Sequence, residues 1–410
     1  MTRTRPPRRG ASAAPVDSAG VQRPKTALPP ALWILTAGAF AVGTDAYVMA
    51  GVLPDLAHDL HTPISTAGQL VTVYAAVYAL LAPASVSITG NRSGRTVLIG
   101  ALALFTAGSI LTATAGSYPA VLIGRVVSAA GAGSFTSQAS TAASGLVPPH
   151  QRARALAVVI SGLTAAAVLG VPLGTMVAGA LGWRATLGMV AVLGATALAG
   201  TVAWLPSLPP LGKHSLTTFA SGLRDRAILM VLIVSLLTAT AEQLVYTYVG
   251  PALEAVTGGH EAPLSGLLLD FGIGAMVGNS IAGTATERFG SRVTLLLAVG
   301  GMTADLALLP WWSRSVPAAV AAMFLWGLTG WMYVVPQQHR ILALSRSAGS
   351  LAVALNNSVF YLGIAIGGAL GGVVLNLANP RWLAAPAVLL GALAITTASL
   401  NYREKPPDRR

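Results

Sequence analysis

The sequence predicts an all-helical membrane protein: twelve transmembrane helices in two repeated sets of six. Three observations lead there. Of the 410 residues, 54% are hydrophobic and only 9% charged, whereas an ordinary soluble protein carries about 25% charged residues. The apolar runs are long and many, and crossing a bilayer takes about 20 residues each. Finally, 45 glycines are spread through runs that show almost no strict alternation of apolar and polar residues, which favours helices over a membrane barrel.

Taken in order, residues 1–30 carry Arg3, Arg5, Arg8, Arg9, Arg23 and Lys25 among Pro, Ala and Ser without periodicity. They read as a disordered basic cytoplasmic tail that contacts anionic lipid at most. The next apolar run is too long for a signal peptide. Spans are expected near 31–54, 65–89, 96–114, 119–145, 154–178, 185–205, 227–250, 264–284, 293–311, 316–337, 350–376 and 382–400. The one long connection, 206–226, separates an N-terminal bundle (31–205) from a C-terminal one (227–400), and 401–410 form a second tail. With loops assigned alternately, the side holding both termini collects 21 of the 25 Lys and Arg. The opposite side holds Arg184, Arg314 and Arg381, and Arg125 lies within a span. By the positive-inside rule both termini and the central loop are cytoplasmic. The expected location is a multi-pass protein of the cell membrane, in a bacterial inner membrane.

The halves repeat. "NRSGRTVL" at 91–98 follows the second span and "ERFGSRVTL" at 287–295 follows the eighth; "GWRATL" at 182–187 precedes the sixth and "NPRWLA" at 379–384 the twelfth. Arg92/Arg288 and Arg184/Arg381 are offset by 196 and 197 residues, as in a six-helix unit duplicated in parallel. The same offset carries Asp45 of the first span onto Glu242 of the seventh.

A carboxylate at the centre of a membrane helix costs roughly 2.5–3.5 kcal/mol, and each Leu, Ile, Val or Phe returns about 0.3–0.6 kcal/mol. The first span holds eight such residues, so it inserts with little to spare. Intramembrane ionisable groups mark ion or substrate pathways, with structural hydrogen bonding as the alternative. Asp45 shares a small-residue face with Gly38 and Ala41, and Glu242 shares a polar face with Ser235, Thr238 and Tyr246. Arg125, with Ser128, Ala132 and Thr136, supplies a fixed positive charge that pairs preferentially with Asp45. Asp270 shares a face with Gly266, Gly274 and Gly278 that reads first as close packing.

Other chemistries are excluded or bland. Without cysteine there is no disulfide, thiol nucleophile or cysteine-held metal. The six histidines lack metal spacing, and His58 and His61 read as solvated. The net charge of +12 comes from 22 Arg and three Lys that mostly flank apolar runs, a pattern that orients a membrane protein and calls for no nucleic acid. No phosphate-binding glycine loop with a Lys appears, so ATP-driven transport is not expected, and with no nucleophile or metal cluster near an interface neither enzyme activity nor a cofactor is expected.

Several stretches in order resemble the major facilitator superfamily, in its twelve-span drug–proton antiporter branch of arabinose-efflux-like and chloramphenicol-resistance exporters. They are "GTDAYVMAGVLPDLAHDL" at 43–60, "AGQLVTVYA" at 67–75, "LIGRVVSAAGAGSF" at 122–135, "LTAAAVLGVPLGTMVAGALGWRATL" at 163–187, "TYVGPALEAVTG" at 247–258 and "GAMVGNSIAGTATERFGSR" at 274–292. The resemblance implies proton-coupling roles for Asp45, Arg125 and Glu242. It implies conformational motifs at Asn91, Arg92, Gly94 and Arg95, at Gly170, Pro172 and Gly174, and at Glu287, Arg288, Gly290 and Arg292. Two departures are visible: Asn91 stands where the family has Asp, and the fifth-span motif reads "GVPLGT" rather than Gly-Pro followed by paired glycines. By resemblance a central cavity would be lined by Tyr47, Tyr74, Tyr78, Phe135, Gln138, Tyr246, Trp326, Trp331, Asn356, Asn357 and Tyr361. Asp305 lies in the ninth span, which the resemblance would place at the periphery, close enough to the outer surface to reach water. The expected function is proton-coupled efflux of a small amphipathic compound, such as the antibiotic chloramphenicol, by a monomer in the bilayer. Export of a sugar, nucleoside or endogenous metabolite, or proton-coupled import, is the alternative.

Overall fold

The computed structural model describes residues 28–89, 91–148, 151–208, 225–344 and 349–400. The basic tail 1–27, most of the central loop and the C-terminal tail lie outside the described residues. The described chain is helical almost throughout. The first four spans are α1 (Ala31–Asp59), α2 (Ile64–Thr89), α3 (Gly94–Thr114) and α4 (Tyr118–Gly145). The fifth is α5 (Arg152–Ala165), a π turn (Ala166–Gly170) and α6 (Val171–Leu181), and the sixth is α7 (Trp183–Trp204). The seventh is α8 (Arg226–Tyr246) followed by α9 (Val249–Thr257). Then come α10 (Glu261–Ala307), the single turn α11 (Leu309–Trp312), α12 (Val316–Met332), α13 (Val334–Leu344) and α14 (Gly349–Leu377). The last is α15 (Ala384–Leu400), entered through a 3-10 turn at Pro380–Leu383.

Among the described residues, eleven helices are long and apolar enough to cross a membrane, one fewer than the twelve expected runs. The difference lies in α10, whose 47 residues hold the eighth and ninth spans. They are joined at Gly290, whose φ of 81° and ψ of 156° are not helical. Glycine adopts that positive φ without steric cost, so the chain can turn there between two spans. At the first span the sequence stops too early. Proline normally ends or kinks a helix, yet α1 runs past Pro54 to Asp59. In the fifth span Pro172 has no N–H to offer the turn before it, and the π turn just upstream is a common way for a helix to absorb such a disruption.

The repeat is visible in hydrogen bonds. Arg95 Nη2 donates to the Val202 carbonyl at 2.6 Å, and Arg292 Nη2 to the Ser399 carbonyl at 3.2 Å. Donors and acceptors are both offset by 197 residues. In each half the basic loop after the second helix of the unit clasps the end of its last helix.

Contacts between residues 31–204 and 226–400 gather at the face away from the chain ends. Ser65 Oγ donates to Asn376 Oδ1 at 2.5 Å, joining α2 to α14, and Ser265 Oγ donates to the Pro172 carbonyl at 2.8 Å, joining α10 to α6. Pro54 sits against Gly250, and the Asp55 carboxyl faces that of Glu261, beside Gly179. Deeper in, Gly272 lies so close to Ala167 and Val168 that a Cβ there would come within 2.9 Å of backbone. These contacts hold the two halves together at that end.

Candidate functional site

Three helices build the charged centre. Arg125 of α4 donates from Nη1 to Asp45 Oδ1 of α1 at 2.7 Å, and both side chains are 1% exposed. The guanidinium carbon stands 4.0 Å from the centre of the Tyr74 ring of α2, a cation–π contact that adds to the ion pair. Small residues allow this approach. Gly170 faces Thr44 and Gly174 faces Val48 so closely that a Cβ at either would overlap the neighbouring side chain. Together with Pro172 they seat α6 and the π turn against α1.

Glu242 of α8 is 2% exposed, and no cation pairs with it among the described residues. The repeat explains this asymmetry: the positions corresponding to Arg125 at offsets of 196 and 197 are Ala321 and Ala322. The rest of its helical face is buried too. Ser235 Oγ donates to Asn356 Oδ1 at 2.7 Å, Gln337 Nε2 donates to Ser235 Oγ at 3.1 Å, and Thr238 and Tyr246 are covered. Glu242 Oε1 and Trp326 Cδ1 converge on Gly330, at 3.2 and 3.5 Å from where a Cβ would stand.

Aromatic rings connect the halves across the centre. Tyr47 meets Tyr246 edge-on at 6.3 Å and Trp331 at 5.9 Å. Tyr246 in turn contacts Phe271 at 5.1 Å and Trp326 at 6.1 Å. On the other flank Tyr78 of α2 stacks on Tyr361 of α14, centroids 3.5 Å apart and planes 16° off parallel, and Tyr74 lies 6.4 Å from Tyr78. Of the residues expected to line a cavity, Tyr47, Tyr74, Tyr78, Tyr246, Trp326, Trp331 and Tyr361 therefore come together. Phe135 and Gln138 sit elsewhere. Phe135 is fully covered and fills the space over Gly38, and Gln138 Nε2 donates to Thr89 Oγ1 at 3.1 Å, tying α4 to α2. Asn356 is engaged by Ser235, and Asn357 is exposed.

The basic stretches expected to be conformational motifs lie where successive spans join. Asn91 and Arg92 are exposed, Gly94 opens α3 behind the Ser93 cap, and Arg95 makes the clasp described above. Arg288 lies over the Phe289 ring at 5.4 Å, with Glu287 beside it and Gly290 making the turn. Asp305 is a correction: it is buried, 8% exposed, because α11 folds over it and Trp312 Nε1 donates to its backbone carbonyl at 3.0 Å. Gly274 and Gly278 meet the Phe324 and Leu328 carbonyls directly, so the Asp270 face packs closely against α12. His58 and His61 are exposed. Two participants escaped the sequence reading, Phe271 and Tyr333, the latter within electrostatic reach of Glu242. Tyr333 follows Trp326 and Gly330 at helical spacing, a signal that was there to be read.

The arrangement places an ion pair and a second buried carboxyl among aromatic rings contributed by both halves. Known proteins agree at the level of family. The family model described as Major Facilitator Superfamily matches residues 35–350. The uncharacterized MFS-type transporter YbcL of Bacillus subtilis is 31% identical over 369 residues, 88% of this chain and 94% of its own. The uncharacterized MFS-type transporter YtbD of the same organism is 32% identical, covering 90% of this chain and 94% of its own. The inner membrane transport protein YdhP of Escherichia coli is 29% identical, covering 92% and 96%. With a family match over most of its length and a central charged site between many apolar spans, the chain belongs to the major facilitator superfamily and is a multi-pass membrane transporter rather than an enzyme.

Proposed function

We propose that the protein is a proton-coupled secondary exporter that works by alternating access, with both termini cytoplasmic. A small amphipathic compound enters from the cytoplasm, binds among the central aromatic rings and leaves after the halves rock. A proton returning to the carboxyl site resets the carrier. The observation that carries the reading is the buried pair of unlike carboxyls: Asp45 neutralised by Arg125, Glu242 left without a cation. A buried carboxylate with no cation beside it is costly to keep charged, so Glu242 is the better place for a proton that comes and goes, with Asp45 and Arg125 as the fixed partner pair. The contacts that join the halves at the face away from the termini fit a carrier waiting for a cytoplasmic substrate. A membrane potential of 100 mV supplies about 2.3 kcal/mol per charge moved, which by itself sustains a gradient of roughly 50-fold.

The experiment is export of a compound panel, chloramphenicol included, from cells expressing wild type, Asp45→Asn, Glu242→Gln or Arg125→Ala, with and without a protonophore. Protonophore-sensitive export that a carboxyl variant abolishes is the expected result. Export that survives the protonophore and every variant removes the coupling mechanism.

A further inference from the structure

On the outside of the N-terminal bundle lies a groove that the transport reading does not use. α5 and α7 each pack on α1 but leave between them a cavity of about 450 Å³, lined by these three helices and by nothing from the other half. Its three hydroxyls are already spent on backbone. Thr36 Oγ1 donates to the Leu32 and Val158 carbonyls, Ser161 Oγ to Val158, and Thr196 Oγ1 to Val192 and Leu193. What remains is mainly Trp33, Ala37, Phe40, Ala165 and Leu193, a wall with no free polar group to hold water or a polar solute.

The end of the groove nearer the start of α1 carries different chemistry. The bond from Thr36 to Val158 sets α1 and α5 level, so Trp33 and Arg154, about one turn further out, stand at a common depth. On α7, Gly200 lies against Ile34 and beside the Trp204 ring. Trp33 is 61% exposed and Trp204 73%. Arg154 is exposed too, on the face of α5 that bears Ser161 and Ala165 at spacings of seven and eleven. Exposed tryptophans mark the headgroup level of a bilayer, and a guanidinium is suited to phosphate. From Arg154 to Ala165 the helix rises about 16 Å, against about 15 Å for half of a hydrocarbon core. The groove is as deep as one leaflet.

We propose that this groove holds one anionic phospholipid from the leaflet on the side of the chain ends, with an acyl chain between α5 and α7 and the phosphate on Arg154. The chain gives the apolar wall the packing contacts it would otherwise lack. Arg154 sets the preference for negative charge, since a zwitterionic headgroup brings a positive charge of its own.

The test is photolabelling of the purified full-length protein in detergent, using phosphatidylglycerol with a diazirine midway along one acyl chain and mass spectrometry of the peptides. Label is expected to concentrate on residues 33–40, 161–165 and 193–196. Unlabelled phosphatidylglycerol should displace it at about fivefold lower concentration than phosphatidylcholine or phosphatidylethanolamine, as one basic residue near a headgroup implies. Arg154→Gln should abolish that difference while the groove is still labelled. Ala37→Phe, which fills the groove from an exposed position, should remove the label there and leave labelling of α15 unchanged, a check that the variant is folded. The wild-type competition needs no variant. Label spread evenly over the outward helices, equal displacement by the zwitterionic lipids, a preference that persists in Arg154→Gln, or groove labelling that survives Ala37→Phe overturns the proposal.

Discussion

Replacing Asp45 by Leu, Arg125 by Met, and then both together tests whether the first carboxyl is held as half of an ion pair. Each side chain is 1% exposed, and the bond between them is 2.7 Å. Removing one partner strands the other charge in a medium that cannot solvate it, which costs about 3–5 kcal/mol in buried pairs. The lower end of that range applies here. Tyr74 and Ser128 approach the carboxylate, but Asp45 Oδ2 and Arg125 Nε and Nη2 make no hydrogen bond of good geometry. The pair rests on one strong bond and the Tyr74 ring at 4.0 Å. Each single variant should therefore lose about 3 kcal/mol. The double variant should lose distinctly less than the sum, because apolar residues of similar volume can replace a buried pair at little cost. Reversible unfolding in mixed micelles, followed by tryptophan fluorescence, measures all four corners of the cycle. Single variants within about 1 kcal/mol of wild type, or losses that simply add, would refute a stranded charge.

Other expectations follow from the same contacts. The chain has no cysteine, so Ser65→Cys with Asn376→Cys can be cross-linked cleanly, and the 2.5 Å contact between their side chains predicts rapid disulfide formation. Transport should stop when it forms and resume on reduction; undiminished transport by the cross-linked protein would contradict alternating access. Gly174→Leu drives a side chain into Val48, and overpacking of that kind costs about 1–3 kcal/mol, visible as a lower unfolding midpoint, whereas a midpoint equal to wild type would show that α6 and α1 can separate. Arg95→Ala and Arg292→Ala each remove one charge-assisted bond to a helix end. Each should weaken the molecule by up to about 1.5–3 kcal/mol, and similar losses in the two halves are the mark of the repeat.

Much of the fold was legible in the sequence because a bilayer imposes a strong constraint: every segment crossing it must be a long apolar helix. The number and order of spans followed from that. So did the repeat, since two copies of one unit keep their offset. Span ends were less legible: the first apolar run stops at Pro54 while the helix continues to Asp59, whereas the eighth and ninth spans are separate as expected, parted at the non-helical Gly290.

At the site, residue type and depth singled out Asp45, Glu242 and Arg125, because a charge in an apolar run is costly wherever it ends up. The pairing of Arg125 with Asp45 was expected from the sequence, and the folded chain brings the two together. Tertiary structure alone decided that Glu242 has no cation beside it among the described residues, that Gln138 bonds Thr89 and Phe135 covers Gly38, and that Asp305 is covered. One-dimensional pattern records what each residue costs to bury, and only the folded chain shows what it is buried against.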